Sequence, residues 1–229
     1  MGHAEAVLPG SARGVISVGI VAHRARAAQA QRLMDATAAS HLSMDDGTLG
    51  CNANHKQVWR WLAETDSEWS VVLEDDALPA GFGQFRTHLA KALTAAPTPL
   101  VSLYRGHNVN NPAYETAGMN ASRAADHAGA HWITSDLLLH AVAVAIRTDL
   151  IPDMLTHLGM LPPQFAIDEA ISHWARAAGI KAAYTWPSLV DHADTYTLFR
   201  HPDKLPRPKG RVAYEVGTRS HWDSKAVTL

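Results

Sequence analysis

The sequence predicts an α/β fold in which a mostly parallel central sheet is flanked by helices. Two β-branched apolar runs, 15–22 and 69–73, have the composition of strands that are buried on both faces. Each run is followed by a segment whose apolar residues recur at helical spacing. Strands that alternate with helices are typical of a parallel sheet with helical crossovers.

The remaining predicted elements continue this alternation. The helices are expected over 25–39, 54–63, 82–93, 148–158 and 168–178, and the further strands over 100–104, 141–146 and 181–185. Turn residues dominate 40–54, and the polar stretch 105–129 has little periodicity, which predicts a long functional or mobile loop. No repeat or linker divides the chain, so we expect one domain over 1–229, with a core of about 15–192 and an extension over 193–229.

Composition limits the class of protein. The 229 residues are 47% hydrophobic, and 20 basic against 22 acidic residues give a formal charge of −2, which disfavours a large nucleic-acid surface. The single cysteine, Cys51, excludes an intramolecular disulfide and suggests a reducing compartment. The sequence has no apolar run of membrane-spanning length and no signal-peptide pattern, so a cytoplasmic protein is expected.

Three adjacent acids, Glu74, Asp75 and Asp76, end the second apolar strand. Ligands of open α/β sheets bind in the crevice outside the carboxyl ends of the strands. Adjacent carboxylates repel one another, and Mg²⁺ or Mn²⁺, which prefer oxygen ligands, would relieve that repulsion. The alternative is a solvated turn in which Asp75 or Asp76 caps the next helix, and the triplet alone does not choose between them.

Five segments, in this order, carry a family resemblance. They are Gly-Cys-Asn-Ala-Asn-His at 50–55 before a tryptophan-bearing helix, Leu-Glu-Asp-Asp-Ala at 73–77, the small-residue strand and arginine at 141–147, Asp-Glu at 168–169, and Trp-Pro-Ser-Leu-Val-Asp-His at 186–192. Together they resemble glycosyltransferase family 25, which includes lipooligosaccharide and procollagen galactosyltransferases. Small members of this kind occur in bacteria and bacteriophages.

The resemblance implies a GT-A type domain that transfers a hexose, with inversion, from a UDP-sugar to a hydroxyl acceptor. The acceptor is left open among a glycan, a protein side chain and a hydroxylated DNA base. The loop 105–129 is expected to form part of the acceptor side of the site. Mn²⁺ or Mg²⁺ is the implied cofactor, with Asp76 as the direct ligand and Glu74 and His192 as further ligands. For His192, a structural histidine is an equal alternative.

The resemblance and the strand ends also indicate the nucleotide site. The residues expected there are Ala22, His23, Arg24, Asp45, Asp46, Asn54, Glu74 and Asp75. Arg24 would approach a phosphate or be solvated, and Asp45 and Asp46 would hold uracil or ribose or only form an Asp-Gly turn. Asn54 is a weaker candidate, because a helix cap explains it well.

Asp168 and Glu169 are the candidate catalytic bases, with Asp168 preferred. An inverting transfer needs a carboxylate that accepts the proton of the attacking hydroxyl. Their alternative role is structural, because acids at a helix start interact favourably with the helix dipole. Trp132, Trp174 and Trp186 would stack on a sugar or belong to the core.

Two other functions compete with glycosyl transfer. A metal-dependent phosphohydrolase or nuclease would need further acids at other strand ends, yet Arg105 and Arg147 follow the strands at 100–104 and 141–146. An inactive sugar-nucleotide-binding protein is disfavoured, because the acidic triplet, Asp168, Glu169 and His192 are all present. Cys51 has no recognisable His–Asn partners in the sequence and is expected to be a small buried residue.

Overall fold

The predicted α/β class is confirmed by the computed structural model, which describes residues 14–81, 83–108, 111–196, 198 and 209–229. Its strands are β1 Gly14–His23, β2 His41–Asp45, β3 Ser67–Glu74, β4 Ala77–Pro79, β5 Leu100–Ser102, β6 Trp132–Ser135, β7 Ala143–Arg147, β8 Ala182–Thr185, β9 Val190–His192 and β10 Ala226–Thr228. Its helices are α1 Ala27–Thr37, α2 Cys51–Ala63, α3 Phe85–Thr94, α4 Pro112–Ala128, α5 Ile151–Met160 and α6 Ile167–Ala177.

The described strands form a large sheet in the order β10-β6-β8-β5-β7-β3-β1-β2, and β4 pairs separately with β9. Strands β1, β2 and β3 are mutually parallel, as are β5 and β8. Strand β7 lies between β3 and β5 and runs antiparallel to both. The start of β7 therefore reaches the same edge of the sheet as the ends of its neighbours.

Alternation along β3 explains why the sheet is covered on both faces. Val71 and Leu73 belong to one buried apolar cluster and Val72 to another, because successive side chains of a strand point to opposite faces. Helices α1 and α3 pack in the first cluster, and α2, α5 and α6 pack in the second. The run of buried apolar residues that predicted this strand is thus the signature of a two-sided core.

The prediction of a loop over 105–129 is wrong for most of that range, because residues 112–128 form helix α4. The side chain of Asn111 accepts hydrogen bonds from two backbone N–H groups of the first turn, Pro112 follows it, and Gly129 ends the helix in the left-handed region. The buried positions, Gly118, Ala121, Ser122 and Ala125, have helical spacing but small side chains, so the apolar pattern was hidden. Residues 109 and 110 lie outside the described part.

Several short strands also differ from the sequence prediction. The turn region predicted over 40–54 contains β2 and the first residues of α2, and β6, β9 and β10 were not predicted. The helix predicted from residue 82 begins at Phe85, and residue 82 lies outside the described residues. In the segment 193–229, β10 pairs with β6 and Trp222 is buried in the core, while 197 and 199–208 are not described.

The three tryptophans considered as sugar platforms belong to the core. Trp132, Trp174 and Trp186 are at most 3% exposed. Each indole N–H donates to an oxygen within the protein, on Asp223, Asp153 and Asp126 respectively. Among the described helices, none is both long and apolar enough to cross a bilayer.

Candidate active site

Two adjoining cavities open at the edge where β1, β2 and β3 end. A cavity of about 580 Å³ extends towards α6, and one of about 180 Å³ extends towards the ends of β1 and β3. The residues that line both are Cys51, Glu74, His192 and Arg211. Strand register explains the convergence, since Val21 pairs with Glu74 and His23 with Asp45 across the parallel ladders.

The three adjacent acids diverge into separate interactions. Glu74 Oε1 lies 3.0 Å from His55 Nε2. Asp75 Oδ2 accepts a hydrogen bond of 2.8 Å from the backbone N–H of His23, which ties the end of β3 to the end of β1. Asp76 lies beside His192, with 3.3 Å between its Oδ2 and the histidine Nε2. Only Asp75 and Asp76 share a counter-ion.

That counter-ion is Arg26, a residue that the sequence analysis did not select. Its Nη1 donates to Asp75 Oδ1 at 2.9 Å and to Asp76 Oδ2 at 2.6 Å. Burial raises the pKa of Asp75, and the contacts with Arg26 and the His23 N–H only partly offset this effect. At Asp76 burial acts in the same direction, but His192 and Arg26 outweigh it, so its pKa is lowered.

His192 reaches Asp76 because β9 pairs with β4. The ladder aligns Ala77 with His192, and the N–H of Ala193 donates to the carbonyl of Asp76 at 2.9 Å. The Nδ1 atom of His192 accepts from the N–H of Asp194 at 3.0 Å. A neutral imidazole in this arrangement carries its proton on Nε2 and donates it to Asp76. In the described state His192 therefore orients Asp76, and Nε2 ligation would require the other tautomer.

The donor set around Asp76 fits a hard divalent ion. Asp76 Oδ1 is buried and has no hydrogen-bond partner among the described residues. A buried carboxylate oxygen without a partner is unfavourable unless a ligand supplies one. Carboxylate oxygens and one imidazole nitrogen are ligands that Mn²⁺ and Mg²⁺ accept.

Cys51, His55 and Glu74 form a cluster that the sequence analysis missed. The first two lie one turn apart on α2, and the third ends β3 beside them; their ligand atoms lie within 4.8 Å of one another. Burial favours neutral His55, but hydrogen bonds to Cys51 and Glu74 outweigh it and raise the pKa of His55 to about 10. Cys51 is half-buried, whereas the sequence predicted a small buried residue. The Cys-x-x-x-His spacing was the available signal.

Five of the predicted nucleotide-site residues line the smaller cavity: Ala22, His23, Asn54, Glu74 and Asp75. Ala22 and His23 contribute the end of β1. Asn54 is buried, and its Nδ2 donates to the carbonyls of Ala22 at 3.0 Å and Ser43 at 3.4 Å. Its Oδ1 has no partner among the described residues. Asn54 is the fourth residue of α2, so its amide joins the helix to two strand ends instead of capping the helix.

Asp45, Asp46 and Arg24 line neither cavity. Asp45 accepts backbone N–H groups of Gly47 and Leu49 at Oδ1 and of Gly50 at Oδ2, at 2.8–3.0 Å. Its carboxylate therefore organises the turn before α2. Asp46 bonds Thr48 in the same turn, and both Asp46 and Arg24 are exposed. Their predicted contacts with a nucleotide remain predictions.

The structure separates the two candidate bases. Asp168 lines the larger cavity, and its Oδ2 accepts from the backbone N–H of His140 at 2.9 Å. Glu169 is exposed and its Oε2 accepts from the N–H of Ala166 at 3.1 Å, which is the helix-start role considered for it. Of the two, only Asp168 faces a space in which a substrate fits.

Three further residues of the site carried no usable sequence signal. His140 and Tyr104 line the larger cavity, and Arg211 lines both. His140 has a φ of +66°, and its buried Nε2 has no partner within the described chain. Arg211 comes from the C-terminal segment and is held by Asp194 through a 3.3 Å ion pair. Tyr104 follows β5, His140 precedes β7 and Arg211 lies in the C-terminal segment. Their proximity therefore depends on tertiary structure, which local sequence patterns do not reveal.

Comparisons with known proteins agree with the resemblance seen in the sequence. Residues 21–113, less than half of the chain, match the model of Glycosyltransferase family 25 (LPS biosynthesis protein). That stretch contains α2 and the acidic triplet, and it supports assignment of the chain as a glycosyltransferase. No curated protein sequence matches the chain.

Two solved structures show a distant similarity. A197 from STIV has a TM-score of 0.34 at 7% identity, over 89% of this chain and 97% of that one. A glycosyltransferase involved in the glycosylation of the major capsid of PBCV-1 has a TM-score of 0.29 at 9% identity, over 67% and 71%. Both TM-scores are too low to establish a shared fold.

Proposed function

Because residues 21–113 identify the chain as a glycosyltransferase similar to family 25, we propose that it transfers a hexose from a UDP-sugar to a hydroxyl acceptor with the help of Mn²⁺ or Mg²⁺. The observation that carries this proposal is the state of Asp76. Its carboxylate lies at the carboxyl end of a central strand, and its buried Oδ1 lacks a partner among the described residues. An oxygen so placed suits a cation that is shared with a diphosphate.

The smaller cavity, together with the adjoining part of the larger one, is the proposed donor site, because about 180 Å³ is less than a whole UDP-sugar needs. Asp76 would hold the divalent ion, which offsets the charge of the leaving diphosphate when it is bound. His192 would join it through Nε2 in the tautomer protonated on Nδ1, which gives up the hydrogen bond from the Asp194 N–H. Arg211 lines this cavity, where a guanidinium can bind phosphate oxygens. Asn54 Oδ1 offers an acceptor for a ribose hydroxyl or a base N–H. The proposed donor site thus combines residues selected from the sequence with Arg211.

The larger cavity is the proposed acceptor site, with Asp168 as the base. In an inverting transfer the acceptor oxygen bonds to the anomeric carbon while the bond from that carbon to the diphosphate breaks. The acceptor proton passes to the Asp168 carboxylate, and the electron pair of the broken bond leaves with UDP. The His140 N–H fixes one Asp168 oxygen, so the side chain is oriented before the acceptor arrives.

The proposed acceptor is a hydroxyl on a glycan, a protein side chain or a hydroxylated DNA base. A cavity of about 580 Å³ lies in the range of small-molecule sites, so a single sugar or side chain fits it. Its lining includes the aromatic residues Phe165 and Tyr104, which suit a sugar ring.

UDP release from UDP-galactose or UDP-glucose tests the proposal. We expect release with Mn²⁺, none with EDTA, and a loss of about 10²–10³-fold in Asp76→Asn, since a metal contributes several kcal/mol of transition-state stabilisation. Asp136→Asn is the matched control, because this acid, whose side chain is 73% exposed, lies outside both cavities and is not among the predicted site residues. Metal-dependent release that is equal in Asp76→Asn and the wild type would overturn the proposal.

A further inference from the structure

The cluster of Cys51, His55 and Glu74 is not used by the proposed transfer. Cys51 opens α2, and His55 follows four residues later, so both side chains lie on one face of the helix. Glu74 lies at the end of β3 and approaches the same face, with its Oε1 3.0 Å from His55 Nε2. One sulfur, one nitrogen and one oxygen therefore converge from two adjacent elements.

We propose that these three side chains form a second cation site, which binds a thiophilic divalent ion of the zinc class. Their ligand atoms lie within 4.8 Å of one another, so small side-chain movements would bring all three to bonding distance of one ion. A thiolate, a neutral imidazole and a carboxylate are accepted ligands of Zn²⁺. Together they carry two negative charges, which a divalent ion neutralises.

The position of the cluster leaves room for a fourth ligand. Cys51 and Glu74 line both cavities, whereas His55 is 1% exposed and lies behind them in the protein interior. Three protein ligands with an open fourth position characterise zinc sites that bind an exchangeable ligand. The open position would face the space between the two cavities, so water or an anionic oxygen of a bound molecule would complete the coordination.

The proposed site is chemically distinct from the acidic pair. Asp75 and Asp76 offer oxygen ligands and share Arg26 as their counter-ion, whereas Glu74 is paired with His55. Hard ions such as Mg²⁺ and Mn²⁺ favour the oxygen-rich position, and a thiolate selects softer ions. The second site therefore does not depend on the identity of the donor sugar or on the proposed transfer.

Cobalt absorption tests the site, because a cysteine thiolate bonded to Co²⁺ gives a charge-transfer band that oxygen and imidazole ligands do not give. Cys51 is the only cysteine of the chain, so such a band reports on this cluster even if some of the 14 histidines also bind cobalt. We expect one equivalent of Co²⁺ to produce the band, and Zn²⁺ to displace it, since Zn²⁺ binds such ligands more tightly than Co²⁺.

Variants distinguish the three ligands from the acidic pair. Cys51→Ser should abolish the band, and Glu74→Gln should weaken cobalt binding at least about tenfold, the effect seen when even an outer partner of a metal ligand is lost. Asp76→Asn should leave the band intact, whatever it does to UDP release. Absence of the band in the folded wild type, or cobalt binding of unchanged strength in Glu74→Gln, would overturn the proposal. Circular dichroism checks that each variant is folded.

Discussion

Arg26 Nη1 lies 2.6 Å from Asp76 Oδ2, so the guanidinium of the residue before α1 is the counter-ion of a carboxylate two residues after β3. The same nitrogen contacts Asp75, and the second terminal nitrogen donates to the carbonyl of Tyr196 at 2.6 Å. The acidic pair is thus stabilised by an internal cation. Mn²⁺ or Mg²⁺ at this pair would compete with Arg26 for Asp76 and would also bind Oδ1, which has no partner among the described residues.

Arg26→Ala is expected to lower the free energy of unfolding by up to about 3 kcal/mol, because it leaves two neighbouring buried carboxylates without their counter-ion. Mn²⁺ should then raise the melting temperature of the variant more than that of the wild type, since the ion replaces the missing positive charge. Thermal unfolding with and without Mn²⁺ measures both effects. Arg24→Ala, at an exposed position two residues earlier, is the control. If Mn²⁺ raised the melting temperature of all three proteins equally, Mn²⁺ and Arg26 would not compete for Asp76.

Asp45→Asn tests the role of this carboxylate in the turn before α2. Burial raises the pKa of Asp45, but hydrogen bonds from Gly47, Leu49 and Gly50 outweigh it and lower the pKa below its ordinary 3.8. An amide cannot accept at both positions, so one buried N–H would lose its partner, at a cost of about 1–3 kcal/mol at pH 7.

The sign of the pH dependence follows from that lowered pKa. The folded protein holds Asp45 ionised more strongly than the unfolded chain does, so its contribution is complete above pH 3.8 and is lost as the pH falls through the folded pKa. Urea unfolding at neutral and acid pH should therefore show the gap between wild type and Asp45→Asn closing on acidification. Asp136→Asn, whose side chain is 73% exposed, should show little gap at either pH. A gap that widens in acid would refute this account of Asp45.

Asp168→Asn and Glu169→Gln separate the two carboxylates at the start of α6. Asp168 faces the larger cavity, whereas Glu169 is exposed and bonded to the N–H of Ala166. Loss of a general base costs about 10²–10⁴-fold in rate, so we expect that loss in kcat for Asp168→Asn and only a small change for Glu169→Gln. UDP release at saturating donor sugar measures both. The reverse order would assign the base to Glu169.

Gly118→Ala tests how α4 packs against the C-terminal segment. Replacing a helical glycine by alanine usually stabilises a protein by up to about 1 kcal/mol. At Gly118, however, the new Cβ would lie 2.5 Å from Arg105 Nη2 and 2.7 Å from Tyr214 Oη. Arg105 is 3% exposed, and the Tyr184 and Tyr214 rings flank its guanidinium at 5.2 and 5.3 Å, so it has little room to move.

We therefore expect Gly118→Ala to destabilise the protein by about 1–3 kcal/mol in urea unfolding, as overpacking does. Gly159→Ala is the matched control, because Gly159 is exposed on α5 and a Cβ added there would meet no atom of a neighbouring element within 4 Å. That substitution should be neutral or stabilising. Stabilisation by both substitutions would show that α4 is not held against Arg105 and Tyr214.

The sequence predicted the elements whose residues carry a periodic apolar signal. Strands β1 and β3 and helices α2 and α6 were found near their observed bounds because their buried residues are large and regularly spaced. Helix α4 was missed because it packs through glycine, alanine and serine. Short strands such as β9 have too few residues for any period to be visible.

The candidate site was predictable where its residues are adjacent in sequence. The acidic triplet is a single run, and its place at a strand end followed from the apolar residues before it. Arg26, 50 residues before Asp76, contacts the triplet, and Arg211, 135 residues after Asp76, lines the same cavity, so both positions depend on tertiary structure. The turn role of Asp45 likewise depends on three backbone N–H groups that no side-chain pattern shows.

Calorimetric titration of UDP into the protein, with Mn²⁺ and with EDTA, tests the central claim most directly, because it needs neither the acceptor nor the sugar. We predict binding that requires Mn²⁺ and is lost in Asp76→Asn, while Asp136→Asn, at an exposed position outside both cavities, binds as the wild type does. UDP binding that is unchanged by EDTA and by Asp76→Asn would contradict a metal-dependent donor site at the end of β3.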